Sequence, residues 1–172
     1  AEVDQWKHPG TQVWFMRHAL KQKVNVVGET DTWWITAEGE TIEDMDLPLA
    51  EEGFAQLTSP EFVEQVVRIN PEVIISSDFL RATQTAEGVQ KCMHDYLGKE
   101  VPIIITSDRG LNVKRDAMGD AHNTFVAWEH SDNAKEISQV YTDLLQKYAG
   151  KRVLIVSHKR RFRYLWQWLC NL

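Results

Sequence analysis

Long apolar runs are missing from this chain of 172 residues; no stretch approaches the ~20 residues that a membrane span requires. Cysteine is scarce. Cys92 and Cys170 are the two present, and they form neither a C-x-x-C pair nor a zinc-ligand spacing, so buried reduced thiols are expected rather than a disulfide. A basic excess is absent too: 19 Lys and Arg stand against 25 Asp and Glu, for a formal net charge of -6. That balance argues against nucleic acid as the main partner, because phosphate backbones call for a basic face. No internal repeat, low-complexity tract or linker interrupts the chain, and one domain over residues 1–172 is expected. The first ten residues, AEVDQWKHPG, lack the basic start and apolar stretch of a signal peptide, which says nothing of a segment upstream of Ala1. A cytoplasmic setting, with no membrane partner, is the expectation.

What is present is a globular composition, 43% hydrophobic and 26% charged. Four short apolar runs read as strands: residues 13–16, 73–77, 102–106 and 152–158. Helical patterns lie between and after them. One begins in LPLAEEGFAQL (47–57), and a second restarts with Ser59 suited to the N-cap and Pro60 to the first helical position. A third runs over DFLRATQTAEGVQKCMHDYL (78–97) with Phe79, Ala82, Ala86, Val89 and Met93 at helical spacing. A fourth runs over NAKEISQVYTDLLQKYAG and stops at Gly150, and RFRYLWQWL forms a last one. Residues 20–47 show no sustained period and are expected as a long loop, with Trp33 and Trp34 left without a role. Strands that are apolar throughout and alternate with helices predict an α/β fold with a mostly parallel sheet covered on both faces.

In such sheets, ligands sit outside the carboxyl ends of the strands. The first strand ends in Arg17-His18, the second runs through Ser76-Ser77 to Arg81, and the fourth ends in Ser157-His158. If these strands are neighbours, two histidines and two arginines converge at one rim. A single histidine after a strand is more often a hydrogen-bonded loop residue than a catalyst. Arg81 is harder to explain that way, since a cation in the first helical turn opposes the macrodipole by roughly 0.3–1 kcal/mol. A bound anion reverses that sign, because helix N-termini favour phosphates.

FMRHA, LAEEGFAQ, ISSDFLRATQTA and VLIVSH, in that order from about residue 13 to about 165, resemble the histidine phosphatase (phosphoglycerate mutase-like) superfamily. The resemblance implies a three-layer α/β/α sandwich with a mostly parallel central sheet, and a phosphohistidine intermediate. It implies His18 as nucleophile, with Arg17, Arg81 and His158 gripping the phosphoryl oxygens; apart from the resemblance, Ser77, Lys159 and Arg160 are expected as further substrate-binding groups. Guanidinium forks match phosphate oxygens, and phosphoryl transfer is mainly positioning and charge stabilisation. With arginines neutralising the charge, neither a metal nor another cofactor is required.

Three departures stand out. Ala19 replaces the usual glycine, and Lys159, the first residue of a basic KRRFR run (159–163), stands where a glycine often follows the histidine. The third concerns the general acid: GLNVKRDAMGD (110–120) lacks the family's glutamate and leaves Asp116 and Asp120 as candidates. Rival motifs fail. There is no Walker loop and no G-x-S-x-G, Cys92 has no arginine six residues on, and the remaining histidines have no metal-ligand spacing. Two functions therefore stand: a metal-independent phosphohydrolase acting on a phosphorylated small molecule or a phosphoprotein, and a catalytically weak or inactive phospholigand-binding protein of the same fold. A mutase is disfavoured by the short chain and the absent glutamate.

Overall fold

The computed structural model describes residues 10–22, 26–29, 33–36, 39–43, 46–106, 139 and 142–158. Strands β1 (Gln12–Arg17), β5 (Val73–Ser77), β6 (Ile103–Thr106) and β7 (Arg152–Ser157) form one sheet in the order β1-β7-β5-β6. Every pairing in it is parallel. All four apolar runs of the sequence are strands of this sheet, and the α/β fold with a mostly parallel sheet is what forms.

Position in the sheet explains their composition. β5 is buried along its whole length and β7 nearly so, because each lies between two neighbours and under helices, and Ile74, Ile75, Leu154, Ile155 and Val156 fill the core. Among the described residues β1 and β6 each have one strand neighbour, and they bury less.

Helix α2 (Pro60–Ile69) starts as the sequence predicts. Ser59 Oγ accepts the Phe62 N–H at 3.2 Å and Pro60 occupies the first turn. Helix α3 (Leu80–Leu97) buries Ala82, Ala86, Val89 and Met93, while Val66 of α2 joins the same core cluster. Cys92 is a free, buried thiol whose Sγ–H points at the Leu57 carbonyl, and burial pushes its pKa up; Cys170 lies outside the described residues. Residues 142–147 are helical and Gly150 follows with φ +80°, the left-handed conformation expected where that helix stops.

Two expectations change. The helix placed from residue 47 begins later, as α1 (Glu51–Gln56), because Leu49 is still extended and forms a bridge with Lys21. Residues 20–47 are more than a loop. Strands β2 (Val26–Glu29), β3 (Trp33–Thr36) and β4 (Thr41–Glu43) pair antiparallel in the order β2-β3-β4. Valine, tryptophan, isoleucine and threonine suit strands, but runs of three or four residues with a register shift between Val26 and Gly28 leave too short a period to see in sequence. Among the described residues no helix is long and apolar enough to cross a membrane. The last helix expected, RFRYLWQWL, falls outside them.

Candidate active site

Strand order brings the predicted groups together. β7 lies between β1 and β5, all three run parallel, and their carboxyl ends are level: Arg17 pairs with Ser157, and Ser76 with Val156. The His18 N–H continues the ladder to the Ser157 carbonyl at 3.1 Å. His18, His158 and Ser77 therefore leave three adjacent strands at one rim, and α3 delivers Arg81 to it from its first turn.

The cluster is tight. The His18 and His158 rings lie 5.2 Å apart between centroids. Arg81 Nε–H donates to His18 Nε2 at 3.3 Å. Ser77 Oγ and His158 Nε2 share a hydrogen bond of 2.9 Å. Phe79 packs the floor: its ring meets His158 edge-on at 4.8 Å, and the Arg81 guanidinium lies 4.9 Å from its centroid. Arg81 and His158 are only 4% and 3% exposed, so both polar heads sit in a largely dry environment.

The protonation of His18 follows from its neighbours. Its Nδ1 lies 2.7 Å from the Ala19 carbonyl oxygen, which can only accept, so Nδ1 carries the proton and Nε2 holds the lone pair. Burial lowers the ring's pKa most, the Ala19 hydrogen bond partly opposes this, and the charges of Arg81, Arg17 and Lys21 lower it further, to about 4. At neutral pH the ring is uncharged with Nε2 directed at Arg81.

The surroundings suit an anion. No acidic residue occupies the first turn of α3, and its N-cap Phe79 offers no side-chain acceptor. The helix dipole and Arg81 thus present positive potential at the same place. A separate cleft of about 570 Å³, between residues 20–22 and the start of α1, is lined by Leu20, Lys21, Leu49, Glu51, Glu52 and Phe54 among others and by none of these site residues. Among the described residues, no group of three or more His, Cys, Asp or Glu side chains is placed to hold a metal ion.

Of the residues singled out in the sequence, His18, Arg81, His158 and Ser77 meet directly. Arg17 stands exposed at the end of β1 and acts on His18 through its charge. Lys159, Arg160, Asp116 and Asp120 lie outside the described residues. Four contributors were not read from the sequence: Phe79 as the floor, Thr85 and Gln56 as hydrogen-bond partners of the backbone after His18, and Gly53 as the point of closest approach. Thr85, Gln56 and Gly53 stand inside the blocks RATQTA and LAEEGFAQ, so their signal was present without a role attached.

Comparison with known proteins bears on the family and the fold. The signature of the histidine phosphatase superfamily (branch 1) matches residues 13–108. Solved structures of similar shape include a protein assigned as the phosphohistidine phosphatase SixA of Agrobacterium tumefaciens, at 19% identity and TM-score 0.53, covering 90% of this chain and 73% of that one. The mycobacterial glucosyl-3-phosphoglycerate phosphatase Rv2419c is another, at 18% identity and TM-score 0.54 over 92% and 78% of the two chains. Mycobacterial hydrolase 1 is a third, at 18% identity and TM-score 0.56 over 92% and 79%. At such identities the likeness is one of fold. Among curated proteins none matches.

Proposed function

The chain belongs to branch 1 of the histidine phosphatase superfamily, and on that premise we propose that it is a metal-independent phosphohydrolase working through a phosphohistidine at His18. The observation that carries this is the setting of one ring: His18 Nδ1 lies 2.7 Å from the Ala19 carbonyl oxygen, which holds the proton there, and Nε2 faces a buried guanidinium. In the first step Nε2 attacks phosphorus, a P–N bond forms, and the leaving group departs with the P–O (or P–N) electron pair. In the second, water attacks phosphorus, the P–N bond breaks, and inorganic phosphate and His18 are restored. A covalent intermediate splits one displacement into two easier ones.

Arg81 changes partner along the way. Its Nε–H rests on His18 Nε2 and has to pass to a phosphoryl oxygen before attack, so substrate charge both uncovers the nucleophile and is neutralised by the group that covered it. Arg17 and His158 complete the phosphoryl pocket, and Ser77 orients His158 through their shared hydrogen bond. Lys159 and Arg160, which follow His158 in the sequence, are the further substrate-binding groups of this proposal. Substrates are phosphorylated small molecules or a phosphoprotein, acted on by a single cytoplasmic domain spanning residues 1–172.

Hydrolysis of an aryl phosphate by the purified protein, unchanged by a chelator, tests the proposal; the absence of turnover overturns it. One observation favours the second function. The stretch GLNVKRDAMGD carries no glutamate to protonate a leaving group. A protein that binds vanadate or phosphate tightly and releases no phosphate from any ester is the phospholigand-binding form.

A further inference from the structure

The geometry points to Gln56 and Thr85 as positioning residues that set the tautomer of His18 by holding the two peptide groups after it. The inference rests on His18 being the nucleophile, yet its central observable is the resting ring and not turnover.

Residues 18–20 belong to no strand or helix, so their backbone groups need partners from elsewhere. Two side chains from different helices supply them. The Ala19 N–H donates to Thr85 Oγ1 at 3.0 Å, and that hydroxyl donates in turn to the Arg81 carbonyl one turn back in α3, at 2.7 Å. The Leu20 N–H donates to Gln56 Oε1 at 2.9 Å, from the last residue of α1. The Leu20 carbonyl takes the Ala50 N–H at 2.9 Å.

The bond to Gln56 matters because of what lies at the other end of the same peptide. The Ala19 carbonyl and the Leu20 N–H are one planar unit. Holding the N–H on Gln56 therefore aims the carbonyl, and that carbonyl accepts from His18 Nδ1. If the plane turns, Nδ1 loses its acceptor and the proton can move to Nε2. A ring protonated at Nε2 has no lone pair for phosphorus and none for Arg81. Thr85 fixes the preceding peptide and couples it to the backbone of Arg81, so nucleophile and clamp share one brace.

α1 reaches this position through a close approach. A Cβ on Gly53 would lie 2.1 Å from the Leu20 carbonyl oxygen, a distance no side chain can occupy. The helix is thereby laid against the backbone after His18, with Gln56 one turn beyond the contact.

Thr85 is buried in the core, whereas Gln56 is exposed and contributes little to packing, which makes Gln56 the clean probe. The test is nitrogen-15 NMR of the histidine rings in the ligand-free protein, with the His18 signals assigned by loss in His18→Asn. Wild type should show a neutral Nδ1–H ring. Gln56→Leu, which keeps the size and removes the acceptor, should show a mixture with the Nε2–H tautomer, and Gln56→Glu, which keeps an acceptor, should return to Nδ1–H. On an aryl phosphate, Gln56→Leu should lose roughly threefold to tenfold in kcat, the factor of one net hydrogen bond, with KM within about twofold. If Gln56→Leu fails to fold, Gln56→Asn, whose amide is one carbon shorter, serves the same purpose. A wild-type His18 spectrum in Gln56→Leu, or in Gln56→Asn where that one is used, overturns the inference. A shifted tautomer in a protein whose wild type hydrolyses no ester upholds the inference and overturns the phosphatase proposal instead.

Discussion

Arg81 donates its Nε–H to Nε2 of His18 across 3.3 Å, so a buried guanidinium rests on the one free lone pair of the imidazole. In the resting protein the proposed nucleophile and clamp therefore occupy each other, and on that proposal an anion has to separate them.

His18→Ala is expected to abolish turnover on aryl phosphates while leaving the fold intact, because the ring is only partly buried and belongs to no core cluster. Rapid acid-free quenching of wild type with a phosphorus-32 substrate should trap an acid-labile, base-stable phosphoenzyme that the variant lacks. Near wild-type turnover in the variant removes His18 from the mechanism.

Arg81→Ala should weaken vanadate or phosphate binding by more than about tenfold, since a charge-assisted hydrogen bond contributes ~1.5–3 kcal/mol. The same variant should raise the pKa of His18, because the Arg81 charge is one of the influences holding it down. Calorimetry and histidine NMR read the two effects separately. Unchanged affinity places the anion elsewhere.

The pH dependence follows from a pKa of about 4 in the fold against an ordinary value of 6.5. Between these values the unfolded chain binds the proton and the folded ring does not, so acidification across that window weakens the fold, and the loss is complete only below the folded value. A stability profile from pH 7 to 4 should flatten in His18→Asn. The acid limb of kcat/KM should likewise fall near pH 4, not near 6.5; a midpoint at 6.5 contradicts the partly buried, neutral ring.

Gly53→Ala should destabilise the protein by about 1–3 kcal/mol, the usual range for forcing a methylene into a filled space, because the neighbour is backbone and cannot rotate away. The displacement acts on Leu20, so turnover should fall by more than the unfolded fraction accounts for. Thermal melts with kcat measured well below Tm separate the two.

Leaving groups report on the acid. A positioned acid contributes roughly 10²–10⁴-fold for an alkoxide and far less for a phenolate or imidazole. Without one, the enzyme should hydrolyse aryl phosphates much faster than glycerol phosphates, and Asp116→Asn or Asp120→Asn should change little. A flat leaving-group series in wild type, made steep by either substitution, identifies the acid.

Much of the sheet was determined by the sequence alone. β1, β5, β6 and β7 are short and apolar, and that local composition marks them wherever they lie. The ends of those strands carry Arg17-His18, Ser76-Ser77 and Ser157-His158, and the first turn of α3 carries Arg81, so the candidate groups were legible too. Their adjacency was not. It depends on β7 inserting between β1 and β5, a pairing of segments some 80 and 140 residues apart that no local pattern encodes. β2, β3 and β4 escaped because three or four residues do not make a period. The tautomer and depressed pKa of His18 belong wholly to the tertiary structure, since desolvation and the charge of Arg81 arise only once α3 closes over the rim. Gln56 illustrates the divide: its block was visible as a motif, but its grip on the Leu20 N–H exists only because Gly53 lets α1 lie against the chain after His18. Sequence sets which groups a strand carries to its end; packing decides which of them meet, and in what protonation state.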